Sequence, residues 1–227
     1  MDIGCGDGKV TTEIAVSVPN GKVVGIDSSA DMIELAKKKF SNEQDPNLEF
    51  HIGDASDLKF NNEFDIVFSN AALHWVKNHK PVATGIRNAL KQRGRILLQM
   101  GGKGNAESIL SLFDILLEKE NWKKYFTGFE FPYFFPSDEE YKIILKDAGL
   151  VPLRIELIPR VMTYEDSAGL SGWLRTTWLP YLERLPENLK ETFVKEIVDL
   201  YISKFHIGEN AKVSVNMIRL EIEAVKE

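Results

Sequence analysis

The sequence predicts an α/β fold, a seven-stranded and mostly parallel sheet with helices between the strands and the last strand antiparallel. Three observations lead there. Strand and helix signals alternate along roughly the first hundred residues, the mark of a parallel sheet. A glycine-rich turn, Gly4-Cys5-Gly6-Asp7-Gly8, joins a strand end directly to a helical stretch. The second and third strands each end at an acid, Asp27 and Asp54. A chain of 227 residues, 44% of them hydrophobic, can bury one sizeable core and carry an insertion.

The elements follow in order. Met1-Asp2-Ile3 is a strand end of three residues at most, where a mid-sheet strand usually has roughly five or six. The first strand is therefore truncated, and the natural protein is expected to start earlier. Thr11 to Ser17 continues the first helix until the turn cluster Val18-Pro19-Asn20-Gly21. Lys22 to Ile26 is β-branched and ends at Asp27, Asp31 to Phe40 is helical, and Leu48 to Ile52 runs into Gly53-Asp54-Ala55. Lys37-Lys38-Lys39 complements the dipole at its helix end. The fourth strand, Phe64 to Phe68, runs into Ser69-Asn70-Ala71-Ala72-Leu73-His74-Trp75. Pro81 to Gln92 reads as a helix with Gly94 beyond its end, and Arg95 to Met100 as the fifth strand. Ala106 to Tyr125 is helical by its apolar face. Phe129 to Pro136 is aromatic and irregular. Ser137 with Glu140 forms a capping box for a helix that Gly149 ends. Leu153 to Ile158 alternates as a sixth strand. Asp166 to Phe205 is helical in pieces broken at Pro180 and Pro186, and Val213 to Ala224 is a last strand whose phase shifts near Ile218. The expected organisation is a Rossmann-like domain over 1–164 and 206–227, with a helical lid over 165–205 inserted before the last strand.

The glycine loop decides among ligands. A phosphate loop needs G-x-x-x-x-G-K-[ST], but Val10 follows Gly8-Lys9 and Ile3 stands five before Gly8. A dinucleotide loop needs a third glycine where Lys9 stands. The spacing D-x-G-x-G-x-G instead resembles motif I of the class I S-adenosylmethionine (SAM) methyltransferases. An acid about twenty residues beyond such a loop is the ribose position, so Asp27 is a candidate to accept from both ribose hydroxyls, with a helix cap shared with Ser28 and Ser29 as the alternative. Met32 could lie on the adenine face or in the core. Asp54 could accept from the adenine amine, with Ala55 giving a backbone donor, or simply close an Asx-turn.

The set D-I-G-C-G-D-G, G-I-D-S-S, G-D-A and F-S-N-A-A-L-H-W-V resembles small-molecule SAM methyltransferases, and most nearly the trans-aconitate methyltransferase group, over nearly the whole chain. R-G-R-I-L-L-Q-M (93–100) and S-G-W-L-R-T-T-W-L-P-Y-L-E-R-L-P (171–186) are similar to that group's fifth strand and late helical cap. The resemblance implies SAM as cofactor, S-adenosylhomocysteine as product, and a cofactor site from Asp2, Gly4, Cys5, Gly6, Gly8, Asp27, Ser28, Met32, Asp54, Ala55 and Asn70. It also implies an acceptor pocket at Ala71, His74 and Trp75, with Trp173 and Tyr181 contributed by the lid. Both lid aromatics equally suit the lid's own core.

Methyl transfer from a sulfonium is an in-line displacement that rests on alignment and exclusion of water. A carboxylate acceptor needs no base. Other acceptors could use His74, the one candidate by location, which could also be a wall residue or a hydrogen-bond donor. Arg160, Arg175 and Lys103 are the candidate cations for an anionic acceptor.

Composition excludes several classes. The net charge is −6 and the sequence pI about 5.4, without a basic face for nucleic acid. Ser69-Asn70-Ala71-Ala72 lacks the prolines and aromatic of nucleic-acid amine methyltransferases. The single cysteine, Cys5, excludes a disulfide within the chain and a cysteine metal cluster, no metal is expected, and Cys5 reads as a small loop residue. No run reaches transmembrane length and no signal peptide is visible, so a cytoplasmic enzyme acting on a small molecule is the default. The other class to weigh is a non-catalytic, regulatory SAM-binding protein. An NAD-dependent oxidoreductase is disfavoured by Lys9. The oligomeric state is left open.

Overall fold

The computed structural model describes residues 1–40, 46–205 and 212–227. Its strands are β1 (Asp2–Ile3), β2 (Val23–Asp27), β3 (Leu48–Ile52), β4 (Phe64–Asn70), β5 (Leu90–Gly101), β6 (Val151–Tyr164) and β7 (Val213–Val225). They form one seven-stranded sheet in the order β3-β2-β1-β4-β5-β7-β6. β1 to β5 pair in parallel and β7 is antiparallel to β5, from Arg95 opposite Val225 to Gly101 opposite Arg219. The seven-stranded, mostly parallel sheet expected from the sequence is the one observed. Met1 extends the short β1 ladder: its ammonium donates to the Ile66 carbonyl at 2.9 Å and its carbonyl accepts from the Phe68 amide at 2.8 Å.

The helices are α1 (Lys9–Ser17), α2 (Ala30–Lys39), α3 (His79–Ala89), α4 (Glu107–Leu117), α5 (Glu120–Lys123), α6 (Asp138–Asp147), α7 (Ser167–Thr177), α8 (Leu179–Leu182) and α9 (Glu187–Phe205). Local chemistry explains their starts. Ser29 caps α2, Asn78 caps α3 and Asp166 caps α7, each by accepting a backbone amide. The Ser137–Glu140 capping box on α6 is formed in both directions. Lys37, Lys38 and Lys39 fill the last turn of α2, as expected for cations at a helix end.

Three expectations are corrected. The helix expected to run to Gln92 ends at Ala89, because Leu90 is wholly buried and pairs with Phe64. The strand register then jumps to Ile66 opposite Arg95, so 91–94 bulge out, with Arg93 at φ 65°. The single helix expected over 106–125 is two, since Lys119 is extended and the chain turns to bury Trp122. β6 runs well beyond Leu153 to Ile158, through Pro152 and Pro159. It tolerates both because it is the sheet edge, where a missing amide breaks no ladder. The phase shift in β7 falls within an unbroken strand, and the Ile218 amide there is taken by the Asn105 side chain at 3.1 Å.

The described chain divides into two compact units. The first comprises 1–103, 133–158 and 219–227, and holds β1 to β5. Its core lies between the sheet and its helices, around Ile3, Ile26, Val67, Val82, Ile86, Leu98 and Tyr141. The second comprises 104–132 and 159–218, and so includes α4 and α5 besides the expected 165–205 segment. Its core is aromatic: Tyr181 stacks on Phe113 at 4.0 Å, and Trp178, Phe126, Phe129 and Phe193 pack around the pair. The start of the expected first domain's second segment, 206–211, lies outside the described residues.

Candidate active site

The carboxyl ends of β1, β2, β3 and β4 gather around one cavity of about 540 Å³ in the first unit. That is the edge where open α/β sheets take ligands, and the size falls within the roughly 300–1,000 Å³ of small-molecule sites. Gly4, Gly6, Asp27, Ser28, Met32, Asp54 and Ala55 line one part of it, and Ala71, Ala72, Leu73, Trp75 and Val76 another.

The three glycines of the loop serve different ends. Gly4, Gly6 and Gly8 all have positive φ, at 74°, 53° and 82°. A Cβ on Gly4 would lie 2.1 Å from the Ala72 Cβ, and one on Gly8 would lie 2.6 Å from the Phe50 ring. These two are required by packing. A Cβ on Gly6 would meet nothing within 4 Å, so there the bare backbone faces open space in the cavity. That space is what a closely seated ligand would fill.

Asp27 fastens this loop. Its Oδ2 accepts the Gly6 amide at 2.9 Å and its Oδ1 accepts the Ser29 amide at 2.9 Å. The α2 cap is Ser29, not Asp27: its hydroxyl accepts from the Met32 amide. Asp27 lines the cavity, and each of its carboxylate oxygens has a second lone pair beyond the amide it accepts. Asp54 accepts from both the amide and the hydroxyl of Ser56, at 2.8 and 2.7 Å, and these bonds hold its carboxyl below the usual carboxylate range. The Asx-turn is thus real, and Asp54 lines the cavity as well. Met32 is 43% exposed on the lining, so it is not core.

Asp2, Cys5, Gly8 and Asn70 are placed off the lining. Asp2 is buried beneath the loop and accepts from the Thr11 hydroxyl at 2.7 Å, while burial raises its pKa. Its role in the structure is to tie β1 to α1. Cys5 packs in the core with Ala36 and Phe50, and burial pushes its thiol up to about 12. No reactive thiolate forms there.

His74 sits in a single 3-10 turn, Leu73–Trp75. Its ring is not on the lining but lies among Trp75, Tyr133 and Phe135, with centroids 5.9 to 6.0 Å away. Burial, with a smaller contribution from His79 nearby, lowers its pKa to about 4. Its Nδ1 is buried and makes no hydrogen bond. Trp173 and Tyr181 belong to the second unit, where Tyr181 is 3% exposed within the aromatic core and Trp173 packs against Tyr164 and Trp178. Arg175 pairs with both carboxylate oxygens of Glu191, while Arg160 and Lys103 are exposed. Sequence reasoning missed His79 and Tyr141, which meet beneath the 3-10 turn. Their neighbours in the sequence, Asn78 and Lys80 for His79 and Glu140 and Lys142 for Tyr141, are polar or charged, so no local signal marked either as buried.

The residues present suit a nucleotide-derived cation. The lining carries two carboxylates, Asp27 and Asp54, and neither lysine nor arginine.

Known proteins agree with this geometry. The model of a methyltransferase domain family matches residues 1–134. A trans-aconitate 2-methyltransferase of Deinococcus radiodurans is 31% identical over 82% of this chain and 71% of its own length. A juvenile hormone acid O-methyltransferase of Drosophila melanogaster is 29% identical over 92% of this chain and 73% of its own. Among solved structures, phosphoethanolamine N-methyltransferase 2 of Haemonchus contortus, crystallised with phosphomonomethylethanolamine and S-adenosylhomocysteine, superposes with a TM-score of 0.56 at 24% identity. It covers 99% of this chain and 48% of that one, and its likeness is one of fold. The cavity at the strand ends, the glycine loop that opens into it and the family match over more than half of the residues together place this chain in the methyltransferase domain family, as a class I SAM-dependent methyltransferase.

Proposed function

We propose that this protein transfers a methyl group to a small carboxylic acid, forming a methyl ester. The observation that carries the reading is the character of the Ala71–Val76 part of the cavity. Its lining residues, Ala71, Ala72, Leu73, Trp75 and Val76, include no titratable side chain. His74, the candidate base, has its pKa lowered to about 4 and its ring among aromatics. A phenol or ammonium acceptor must lose a proton and would want a base here. A carboxylate at neutral pH has none to lose.

SAM supplies a methyl already activated by its sulfonium charge. The protein's share is binding and alignment. Asp27 would accept from the ribose hydroxyls with its free lone pairs, Met32 would lie against adenine, and Asp54 with Ala55 would meet the adenine edge. Gly6 lets the loop backbone approach the methionine portion. Trp75 and Leu73 would hold the acceptor in line and exclude water, and alignment of this kind is equivalent to effective molarities of about 10⁵–10⁸ M. His74 in this reading is a neutral residue packed behind the wall, among Trp75, Tyr133 and Phe135. Two relatives named for their acids, a trans-aconitate 2-methyltransferase and a juvenile hormone acid O-methyltransferase, support a carboxylate acceptor.

The test is methyl transfer from labelled SAM to matched small carboxylic acids, phenols and amines, read by mass spectrometry. Base-labile methyl esters are the expected products. Transfer confined to phenols or amines would overturn the acceptor class.

A further inference from the structure

The turn carrying Leu73, His74 and Trp75 is held from beneath by two buried side chains that the reaction itself does not use. His79, the first residue of α3, lies with Nε2 2.9 Å from the Leu73 carbonyl oxygen and Nδ1 3.2 Å from the Tyr141 hydroxyl of α6. His79 is 2% exposed and Tyr141 is wholly buried. One proton arrangement of a neutral ring satisfies both of these contacts. A carbonyl can only accept, so Nε2 carries the proton; Nδ1 is then bare, and the Tyr141 hydroxyl must donate to it. Burial lowers the pKa of His79 and favours the neutral form, outweighing the Leu73 and Val76 carbonyls, which favour the protonated ring. The same Leu73 carbonyl accepts the Val76 amide at 2.9 Å, and the Trp75 amide donates to the Ala72 carbonyl at 3.1 Å. From the other side, the Phe134 amide donates to the His74 carbonyl at 2.9 Å while its ring lies 4.7 Å from that of His79.

We propose that His79 and Tyr141 are positioning residues for methyl transfer, a hydrogen-bonded relay that fixes the Leu73–Trp75 turn and with it the wall against which the acceptor lies. The proposal rests on the reading of that wall as the acceptor site. Two phenyl rings would fill the same space, so the polar atoms matter for direction rather than volume. The Leu73 carbonyl and the Tyr141 hydroxyl together select the proton on Nε2; without the hydroxyl the buried Nδ1 lone pair has no donor and that selection weakens. In the other tautomer Nε2 has only a lone pair, which faces the Leu73 carbonyl and repels it.

The test uses the full chain with Tyr141→Phe, which removes one hydroxyl, beside His79→Gln, whose amide nitrogen can still donate to Leu73, and His79→Leu, which cannot. Two readouts are independent. Amide exchange of Trp75 and Val76, measured without acceptor, should quicken about tenfold or more in Tyr141→Phe and His79→Leu. It should do so locally, with the protection of β1, β4 and α3 kept. The kcat with a carboxylic acid acceptor should fall about tenfold in the same variants, S-adenosylhomocysteine affinity should stay within about twofold, and His79→Gln should recover most of the loss. Unchanged exchange in Tyr141→Phe, or faster exchange with unchanged kcat, would overturn the proposal. Faster local exchange in a protein whose unaltered form methylates amines or phenols but no acid would instead sink the acceptor reading, while the relay stood. If Tyr141→Phe fails to fold, the contrast between His79→Gln and His79→Leu decides on the same two readouts.

Discussion

The Asp27 carboxylate binds the Gly6 amide through one oxygen and the Ser29 amide through the other, each at 2.9 Å. One residue at the end of β2 thereby sets both the shape of the glycine loop and the start of α2. It does so with a second lone pair left on each oxygen, and it lines the cavity.

Asp27→Ala should therefore act twice. Each charge-assisted bond lost contributes about 1.5–3 kcal/mol, so S-adenosylhomocysteine affinity should fall at least roughly tenfold to a hundredfold in calorimetric titration. The thermal midpoint should drop as well, because the Gly6 and Ser29 amides lose their acceptor. Asp27→Asn should bind better than Asp27→Ala, since one oxygen remains. Equal affinity in Asp27→Ala and the unaltered protein would remove Asp27 from the cofactor site.

Gly4 and Gly6 should separate stability from binding. Gly4→Ala drives its methyl to 2.1 Å from the Ala72 Cβ and must displace backbone, so it should cost several kcal/mol by denaturant unfolding. Gly6→Ala has nothing within 4 Å and should cost only the strain of its left-handed conformation, about 1–2 kcal/mol. Its methyl enters the cavity, so ligand affinity should fall more than stability does. A Gly6→Ala protein with unaltered affinity would show that no ligand approaches that backbone.

His74 sets a pH dependence with a definite sign. Its folded pKa, about 4, lies below the ordinary value of 6.5, so between those values the unfolded chain binds a proton that the folded chain refuses. Stability is therefore full above about pH 6.5 and is lost as pH falls toward 4, by an amount on the order of 3 kcal/mol. His79, shifted in the same direction by burial, adds to the trend. His74→Phe should flatten part of the slope of thermal midpoint against pH. With a carboxylic acid acceptor, kcat/KM should show no inflection near pH 6–7, and a bell-shaped profile centred there would restore a base.

Cys5 should be silent toward alkylation. Its thiol is buried and its pKa raised to about 12, so iodoacetamide at pH 8 should leave the folded protein unlabelled and modify it fully in denaturant. Rapid labelling of the native protein would show that the glycine loop opens.

By itself the sequence determined what short-range chemistry sets. The three glycines, the acid closing β2, the Ser137–Glu140 box and the breaks at Pro180 and Pro186 act within a few residues of themselves, and each is found where it was expected. The alternation of strands and helices fixed the parallel sheet in the same way, because crossover geometry leaves few choices. Tertiary structure alone decided the rest. Whether Tyr181 faced a pocket or a core depended on Phe113, sixty-eight positions away, and they stack at 4.0 Å. Pro152 and Pro159 could stay inside β6 only because that strand is the edge, which no local signal states. The His79–Tyr141 relay joins residues sixty-two apart, and the burial that keeps the His74 and His79 rings neutral is supplied by distant chain packed around them. Burial and partners are properties of the folded neighbourhood, and they gave these histidines a role that their place in the sequence did not.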